Sequence, residues 1–587
     1  MNYNLNDLQP EKRKKRLGFA SVKSLVAHMV EEKKILLIAF GAMVVAALLN
    51  LAGPILIGHA VDNYIQTGKY HGLIVFGGIL LGTYLIALVA GYLQTRLMGG
   101  VGQRMLYTLR NSVFEKLQEL PYDFFNQNKT GDLISRINND TDKINQFFSQ
   151  SLMQFLRVIL IMVGSGIFLV SIHVQLGLAA LSPAIFIWLF TRIVSPWVKR
   201  KNAENLKSVG NLSSEVQESL NNFKVVVAFN RRDYFRQRFA KVNQKNYSAA
   251  VKAGIANNIF LPVYTFFSNI GLLIVLTLGI YFISIGQFTI GLLISFIAYV
   301  NSFYNPLRQL ASLWANFQVA LAAWDRIRKI LELENNLPQI ASNGVDETAS
   351  LVSFRDVSFS YPGGSEVLHK ISFNLNKGKT YAFVGPTGGG KTTTASLISR
   401  LYDPTRGTVL LDGKDIRSFS AEERVKRIGF ILQDPFLFSG TIRENILYGN
   451  QEYKDIPNKE LEKIFRDTGL ETLLQRFEKG LDTKVNDSGN GISLGQKQLI
   501  AFMRAVLRKP DLLILDEATA NIDTVTEQLL DEIIQKLPRQ TTRVIIAHRL
   551  NTIANADVIY FVNTGKVTRA GSLKDAVEML MKGKMAS

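Results

Sequence analysis

Residues 385–392 read Gly-Pro-Thr-Gly-Gly-Gly-Lys-Thr, a complete P-loop, and they settle what kind of domain fills the second half of this chain. Thr380 to Val384, just before the loop, predicts a buried strand, and Thr392 to Leu401 predicts the helix that should follow. Glycines at 385, 388 and 390 let backbone N–H groups close around phosphate oxygens where a Cβ would obstruct, and the helix dipole beyond adds to the attraction. The alternative, a glycine-rich turn between strand and helix, does not require the full eight-residue pattern in this setting. Lys391 is expected to reach the β- and γ-phosphates of a nucleotide, and the Thr392 hydroxyl a Mg²⁺ ion.

Upstream the chain changes character. Apolar stretches run at about 35–60, 71–97, 147–172, 174–198, 257–284 and 287–318. Each is long enough to cross ~30 Å of hydrocarbon as a helix rising ~1.5 Å per residue. Six spans put both termini on one side. The short connections (61–70, 173, 285–286) hold Lys69 as their sole Lys or Arg, whereas the long ones (98–146, 199–256) carry Arg104, Arg110, Lys116, Lys129, Arg136, Lys199, Arg200, Lys201, Arg231 and Arg232. The positive-inside rule therefore makes the long loops and both ends cytoplasmic. Helical periodicity in Met105–Leu120 and Leu212–Phe229 predicts that the spans continue as helices into the cytoplasm. The expected organisation is a transmembrane domain over 1–330, a polar linker over 331–350 with Pro338 and Gly344, and an α/β ATPase domain over 351–587 that opens on a half-buried, alternating strand at Leu351–Tyr361. The fold class is a membrane α-helical bundle of six spans fused to a P-loop ATPase domain.

Composition excludes several other classes. The net charge of +19 could suggest a nucleic-acid partner, but the basic residues are dispersed or lie beside spans, as Lys12–Arg16 does, and no nucleic-acid motif is present. With no cysteine among 587 residues there are neither disulfides nor thiolate metal sites. The N-terminus lacks a short apolar region with a small-residue cleavage site, so the first span reads as a retained helix.

A second chemical element lies at Leu512–Leu515, an apolar strand ending in Asp516 and Glu517. This Walker B arrangement would give Asp516 to Mg²⁺ and Glu517 to the water that attacks the γ-phosphate. A carboxylate pair can also be ordinary strand-end charge; the P-loop upstream argues for the site.

From residue 351 onward the chain resembles an ATP-binding-cassette domain, and its six spans resemble the exporter half of that superfamily. The resemblance implies ATP and Mg²⁺ as ligands and assigns roles position by position. The loop residues Gly385, Pro386, Thr387, Gly388, Gly389 and Gly390, with Lys391, Thr392 and Thr393, would surround the phosphates. Tyr361 in Phe-Ser-Tyr-Pro matches the aromatic that stacks on adenine, although a strand-edge tyrosine fits the same pattern. Gln433 matches the Q-loop glutamine at the Mg²⁺, His548 the switch histidine and Asp523 the D-loop aspartate. The segments Phe124-Phe125 with Thr130–Arg136, and Val227–Asn230, are similar to the intracellular loops that couple the two domains.

One position departs from the family. The signature Leu-Ser-Gly-Gly-Gln reads Ile492-Ser493-Leu494-Gly495-Gln496 here, and Val485-Asn486-Asp487 replaces a common Gly-Glu pair. A leucine where backbone must approach phosphate is expected to impair the donor geometry. In a head-to-tail dimer each site joins the Walker motifs of one chain to the signature of the other. The resemblance therefore implies a heterodimer with a second half-transporter whose signature is intact, this chain bearing the catalytic glutamate. The implied activity is ATP-driven export of lipophilic compounds from a bacterial plasma membrane. A homodimeric lipid or peptide exporter, and a regulatory membrane ATPase that does not pump, share these features. Phe288, Phe296, Tyr299, Phe303, Tyr304, Trp314 and Phe317, in and near the sixth span, suit either an adaptable cavity or helix packing, and Asn301, Asn316 and Gln318 should avoid lipid.

Overall fold

A computed structural model describes residues 3–5, 32–335, 337–341, 350–486, 491–516, 524–546 and 555–585. The chain divides into two compact units: Pro10–Gln118 with Gly131–Glu332, and Met1–Gln9 with Glu119–Thr130 and Leu333–Ser587.

The first unit holds six helical segments apolar and long enough to span a bilayer: Lys33–Ile65, His71–Glu119, Thr130–Ile172, Val174–Asn221, Arg232–Ser284 and Ile290–Leu331. The helix Tyr70–Glu119 runs 50 residues, far beyond the ~20 that hydrocarbon requires, so the periodicity of Met105–Leu120 is that of one continuous rod. The apolar window of this second span is only 6% buried within the chain, leaving its surface for lipid or another protein. After the helix Pro183–Asn221 the chain breaks at Asn222 and resumes as the short helix Phe223–Ala228.

The sixth span resolves the two readings of its aromatics. Phe288, Phe296, Tyr299 and Tyr304 are packing residues, buried in one apolar cluster. The Tyr299 hydroxyl donates to Leu51 O at 2.6 Å and its ring stacks on Phe168, while the Tyr304 hydroxyl donates to Ala180 O at 2.8 Å. Each phenol thus finds the partner that a buried hydroxyl needs. Phe303 and Phe317 are half-buried and Trp314 is exposed. Asn301, Asn305, Ser312 and Asn316 are also exposed and, spaced four, seven and four apart, share one helix face. Gln318 is exposed as well. Asn301 donates back to Ile297 O, and Asn316 to Ser151 Oγ at 3.4 Å.

The second unit is built on β1 (Ser350–Ser360), β2 (Glu366–Asn376), β3 (Thr380–Val384), β4 (Arg406–Leu411), β5 (Lys414–Asp415), β6 (Ile428–Ile431), β7 (Gly440–Thr441), β8 (Lys484–Val485), β9 (Leu512–Asp516), β10 (Thr542–Ile546), β11 (Val558–Asn563) and β12 (Lys566–Ala570). One sheet has the order β2-β1-β4-β5 and is antiparallel. The other has the order β12-β11-β3-β10-β9-β6, parallel from β11 to β6 with β12 antiparallel at its edge. β7 pairs with β8. Strand β1 is not the alternating strand its sequence predicts. Paired on both edges, by β2 and β4, it is buried continuously over 350–354, and a register shift between Phe354 and Val357 contains Asp356 at φ +47°.

In the parallel sheet Ile546 lies opposite both Phe383 and Asp516. The segments that leave β3, β9 and β10 therefore depart from one carboxyl edge, the position where open α/β sheets bind ligands.

A candidate nucleotide-phosphate site at the carboxyl edge of the sheet

The P-loop owes its shape to three glycines with positive φ: Gly385 (+151°), Gly388 (+80°) and Gly390 (+114°). Contact enforces the shape as well. A Cβ on Gly385 would run into Val562 O, and one on Gly389 would sit 2.6 Å from the same oxygen. Val562 belongs to β11, next to β3, so the sheet itself holds the loop. The helix that follows spans Lys391–Ile398, shorter than the predicted Thr392–Leu401. It closes with Arg400 at φ +54°, Arg400 N–H donating to Leu397 O and Leu401 N–H to Ser396 O, a C-terminal cap set by the left-handed residue. The buried Arg400 guanidinium meets Asp403 at 3.0 Å and Pro338 O at 2.7 Å, which accounts for a non-glycine there.

Lys391 is 5% exposed, its ammonium donating to Gly385 O at 2.9 Å and Pro386 O at 3.0 Å. The charge is thus held by the two carbonyls that begin the loop, beside a helix N-terminus that favours anions. The Thr392 hydroxyl donates to Asp516 Oδ1 at 3.4 Å, and Asp516, the last residue of β9, is 3% exposed. A hydroxyl and a carboxylate brought together at a phosphate cradle are oxygen ligands of the kind Mg²⁺ takes, with the remaining positions left to phosphate and water. Among the described residues no group of three or more His, Cys, Asp or Glu side chains could hold a metal by itself.

Gln433 lies two residues beyond Ile431 of β6, which pairs with Leu515, so it emerges at the same edge as Asp516. Glu517, Asp523 and His548 lie outside the described residues. The Tyr361 hydroxyl is 3.0 Å from Thr393 Oγ1 on the P-loop helix, and its ring meets Phe359 and Tyr402 edge-on.

The segment Ile492–Gln496 opens a separate helix, Leu494–Val506. Ser493 caps it, accepting from Gln496 N–H while Gln496 Oε1 accepts from Ser493 N–H. Leu494 takes ordinary right-handed backbone at the first helical position, with a side chain 40% exposed. No left-handed φ is needed here, so leucine fits its own chain without strain. What the substitution adds is a branched side chain at the mouth of the helix.

Residues 36–307 match the family described as ABC transporter transmembrane region, and residues 368–520 the family described as ABC transporter. The uncharacterized ABC transporter ATP-binding protein YfiC of Bacillus subtilis is 34% identical over 560 residues, 94% of this chain and 91% of the relative. The chain belongs to the ABC transporter family. A fatty acid ABC transporter ATP-binding/permease protein of Mycobacterium bovis is 35% identical, covering 84% of this chain and 78% of the relative. The probable multidrug resistance ABC transporter ATP-binding/permease protein YheH of Bacillus subtilis is 30% identical, covering 86% and 74%. This ABC protein is an exporter-type half-transporter, an integral membrane ATP hydrolase coupled to transport, with its ATPase domain in the cytoplasm.

Two features of the ABC domain were not legible in motif spacing. Tyr402, two residues past the P-loop helix cap, accepts a 2.6 Å hydrogen bond from Asn126 Nδ2 and packs edge-on against Tyr122. Burial pushes its phenol up to about 12, so it stays protonated at physiological pH. The sole sequence signal was an aromatic ahead of Asp403-Pro404; its partner lies 276 positions away. The other feature is an open groove of about 240 Å³ lined by Phe436, Phe438, Tyr448 and Arg504 among others. Arg504 donates to Asn445 O at 2.7 Å and to Phe436 O at 3.2 Å. Burial, with Arg508 close by, pushes its guanidinium down to about 10, leaving it charged at neutral pH.

Proposed function

We propose that this chain is one half of a dimeric exporter that moves lipophilic, drug-like compounds out of the cytoplasm or inner leaflet by alternating access. ATP sits with its phosphates in the loop Gly385–Thr392, Lys391 on the β- and γ-phosphates and Tyr361 at the base. Thr392, Asp516 and Gln433 hold Mg²⁺, Glu517 activates water, and His548 and Asp523 complete the site. The observation that carries this reading is the convergence of Lys391, Thr392 and Asp516 at one sheet edge around a loop with no room for a Cβ at Gly385 or Gly389. The polar face of Asn301, Asn305, Ser312 and Asn316 supports a translocation path along the sixth span, since such groups are costly against lipid. Relatives named for multidrug resistance support drug-like cargo. The test is ATP-dependent accumulation of a lipophilic cationic dye in sealed inverted vesicles; hydrolysis without accumulation in the presence of any such dye counts against the cargo class.

The exposed tip helix Phe223–Ala228, where Phe223, Val225 and Val227 face outward, and the aromatic groove around Phe436 support a dimeric state, since each suits a partner half-transporter. We infer a heterodimer, in which Leu494 crowds the nucleotide of the partner and an intact signature from the partner serves this chain's Walker motifs. The unstrained backbone of Leu494 favours a second reading, a homodimer that tolerates the leucine. Leu494→Gly distinguishes them. In a heterodimer it raises turnover at the slower of the two sites by roughly tenfold, the effect of one restored hydrogen bond to a charged group. In a homodimer the chain purified alone already hydrolyses ATP at full rate, and Leu494→Gly changes little.

A further inference from the structure

We propose that Tyr3, Asn4 and Leu5 form a strap that seats the first intracellular-loop helix, Tyr122–Gln127, and that Tyr3 is a positioning residue for the transmission of ATP-driven movement. The proposal rests on the transporter reading above. A helix of six residues cannot hold itself together in water, since isolated helices below ~12 residues are marginal. It must be clamped by its surroundings. On one side Asn126 and Tyr122 engage Tyr402, whose ring meets Tyr361, which in turn bonds Thr393 of the P-loop helix.

The other clamp is the strap. Tyr3 N–H donates to Gln127 Oε1 at 2.8 Å, Tyr3 O accepts from Asn128 Nδ2 at 2.9 Å, and Leu5 N–H donates to Asn128 Oδ1 at 3.1 Å. Two side-chain amides thus satisfy backbone polar groups of the strap at alternate residues, Tyr3 and Leu5. Gln127 is itself held, its Nε2 donating to Asp123 Oδ2 at 2.9 Å. The Tyr3 side chain has no solvent exposure; its ring meets Phe124 edge-on and its hydroxyl donates to Glu334 O at 2.8 Å. Leu5 is 4% exposed. Glu334 lies just past the end of the helix Ile290–Leu331, and Asn335 beside it donates to Glu119 O at 3.0 Å. The strap therefore ties together the tip of the first loop and the start of the linker. Burying Tyr3 and Leu5 this completely is costly in conformational entropy and calls for a return in function or stability.

The test uses the full-length transporter in lipid vesicles with two readouts. In Tyr3→Ala, hydrogen exchange of the amides of residues 122–127 speeds up by about tenfold or more as the short helix loses its seat. ATP-driven uptake of a lipophilic cationic dye falls roughly five- to tenfold, while hydrolysis without dye stays within about twofold of wild type. Tyr3→Phe, which keeps the ring on Phe124 and loses only the bond to Glu334 O, retains most of the uptake. Gln127→Ala, with the N-terminal sequence intact, gives the same split between uptake and hydrolysis. Unchanged exchange in Tyr3→Ala, or hydrolysis that falls in step with uptake, overturns the strap. If wild-type vesicles take up no dye, the cargo reading fails instead, and the exchange measurement alone decides the strap.

Discussion

Glu517→Gln lowers ATP hydrolysis by roughly 10²- to 10⁴-fold, the usual contribution of a general base, and leaves nucleotide binding in place. Strand β9 ends one residue before Glu517. Its five residues are all buried, it lies between β6 and β10, and it delivers Asp516 to the Thr392 hydroxyl. The carboxylate that follows immediately in sequence is the group available to take a proton from water attacking the γ-phosphate, with the bond to ADP breaking as the new P–O bond forms. Glutamine keeps the size and one acceptor oxygen but has no basicity. Lys391, Thr392 and the loop backbone are untouched, so ATP is still held and the dimer closes on it. Single-turnover hydrolysis alongside binding of a fluorescent ATP analogue separates the two effects, and dye uptake in vesicles should disappear with turnover. A loss of less than about tenfold would mean that proton abstraction does not run through Glu517.

The parts of the molecule that were legible in sequence are those where one short segment carries the physics. The loop 385–392 is such a segment: positive φ at 385, 388 and 390 is written in the glycines themselves. The apolar run Leu512–Leu515 also announced its end at Asp516, and the spans announced themselves by length. Sequence failed where burial is decided by distant partners. The alternation in Leu351–Tyr361 suggested a strand with one wet face, but β2 and β4 enclose it from both edges and bury it through 354. Phe288, Phe296, Tyr299 and Tyr304 could serve a cavity or a core, and only the first and fourth spans, through Leu51 O and Ala180 O, decide for the core. Tyr402 and Tyr3 share the same limit. Each gains its meaning from loop residues 122–128, which are remote from both in sequence.

Lys391→Met removes ATP binding and turnover together, and the contrast with Glu517→Gln is the sharper test of the site. The lysine ammonium is almost wholly buried and has two carbonyl acceptors, Gly385 O and Pro386 O, which hold it at the start of the loop. A phosphate in the loop meets a charge that the protein itself orders. Methionine preserves the apolar stem and approximate length, so the fold of the helix Lys391–Ile398 should persist, but it removes the ammonium donor from both carbonyls, leaving Pro386 O the Gly389 N–H at 3.1 Å, and it leaves the phosphates without their cation. Losing a hydrogen bond to a charged group is worth about 1.5–3 kcal/mol, or roughly 10- to 100-fold in ATP affinity. Charge that builds on the transferring phosphoryl group loses the same donor, which lowers turnover of whatever ATP still binds by a further ~10²- to 10³-fold. Arginine should not rescue, because its planar fork cannot occupy the point between two backbone carbonyls that the ammonium fills. The two variants thus predict opposite binding with the same absence of hydrolysis: Glu517→Gln retains the fluorescent analogue and Lys391→Met releases it. Retention of the analogue by Lys391→Met within about threefold of wild type would separate this loop from the phosphates, since so small a loss is below that of a single charge-assisted hydrogen bond.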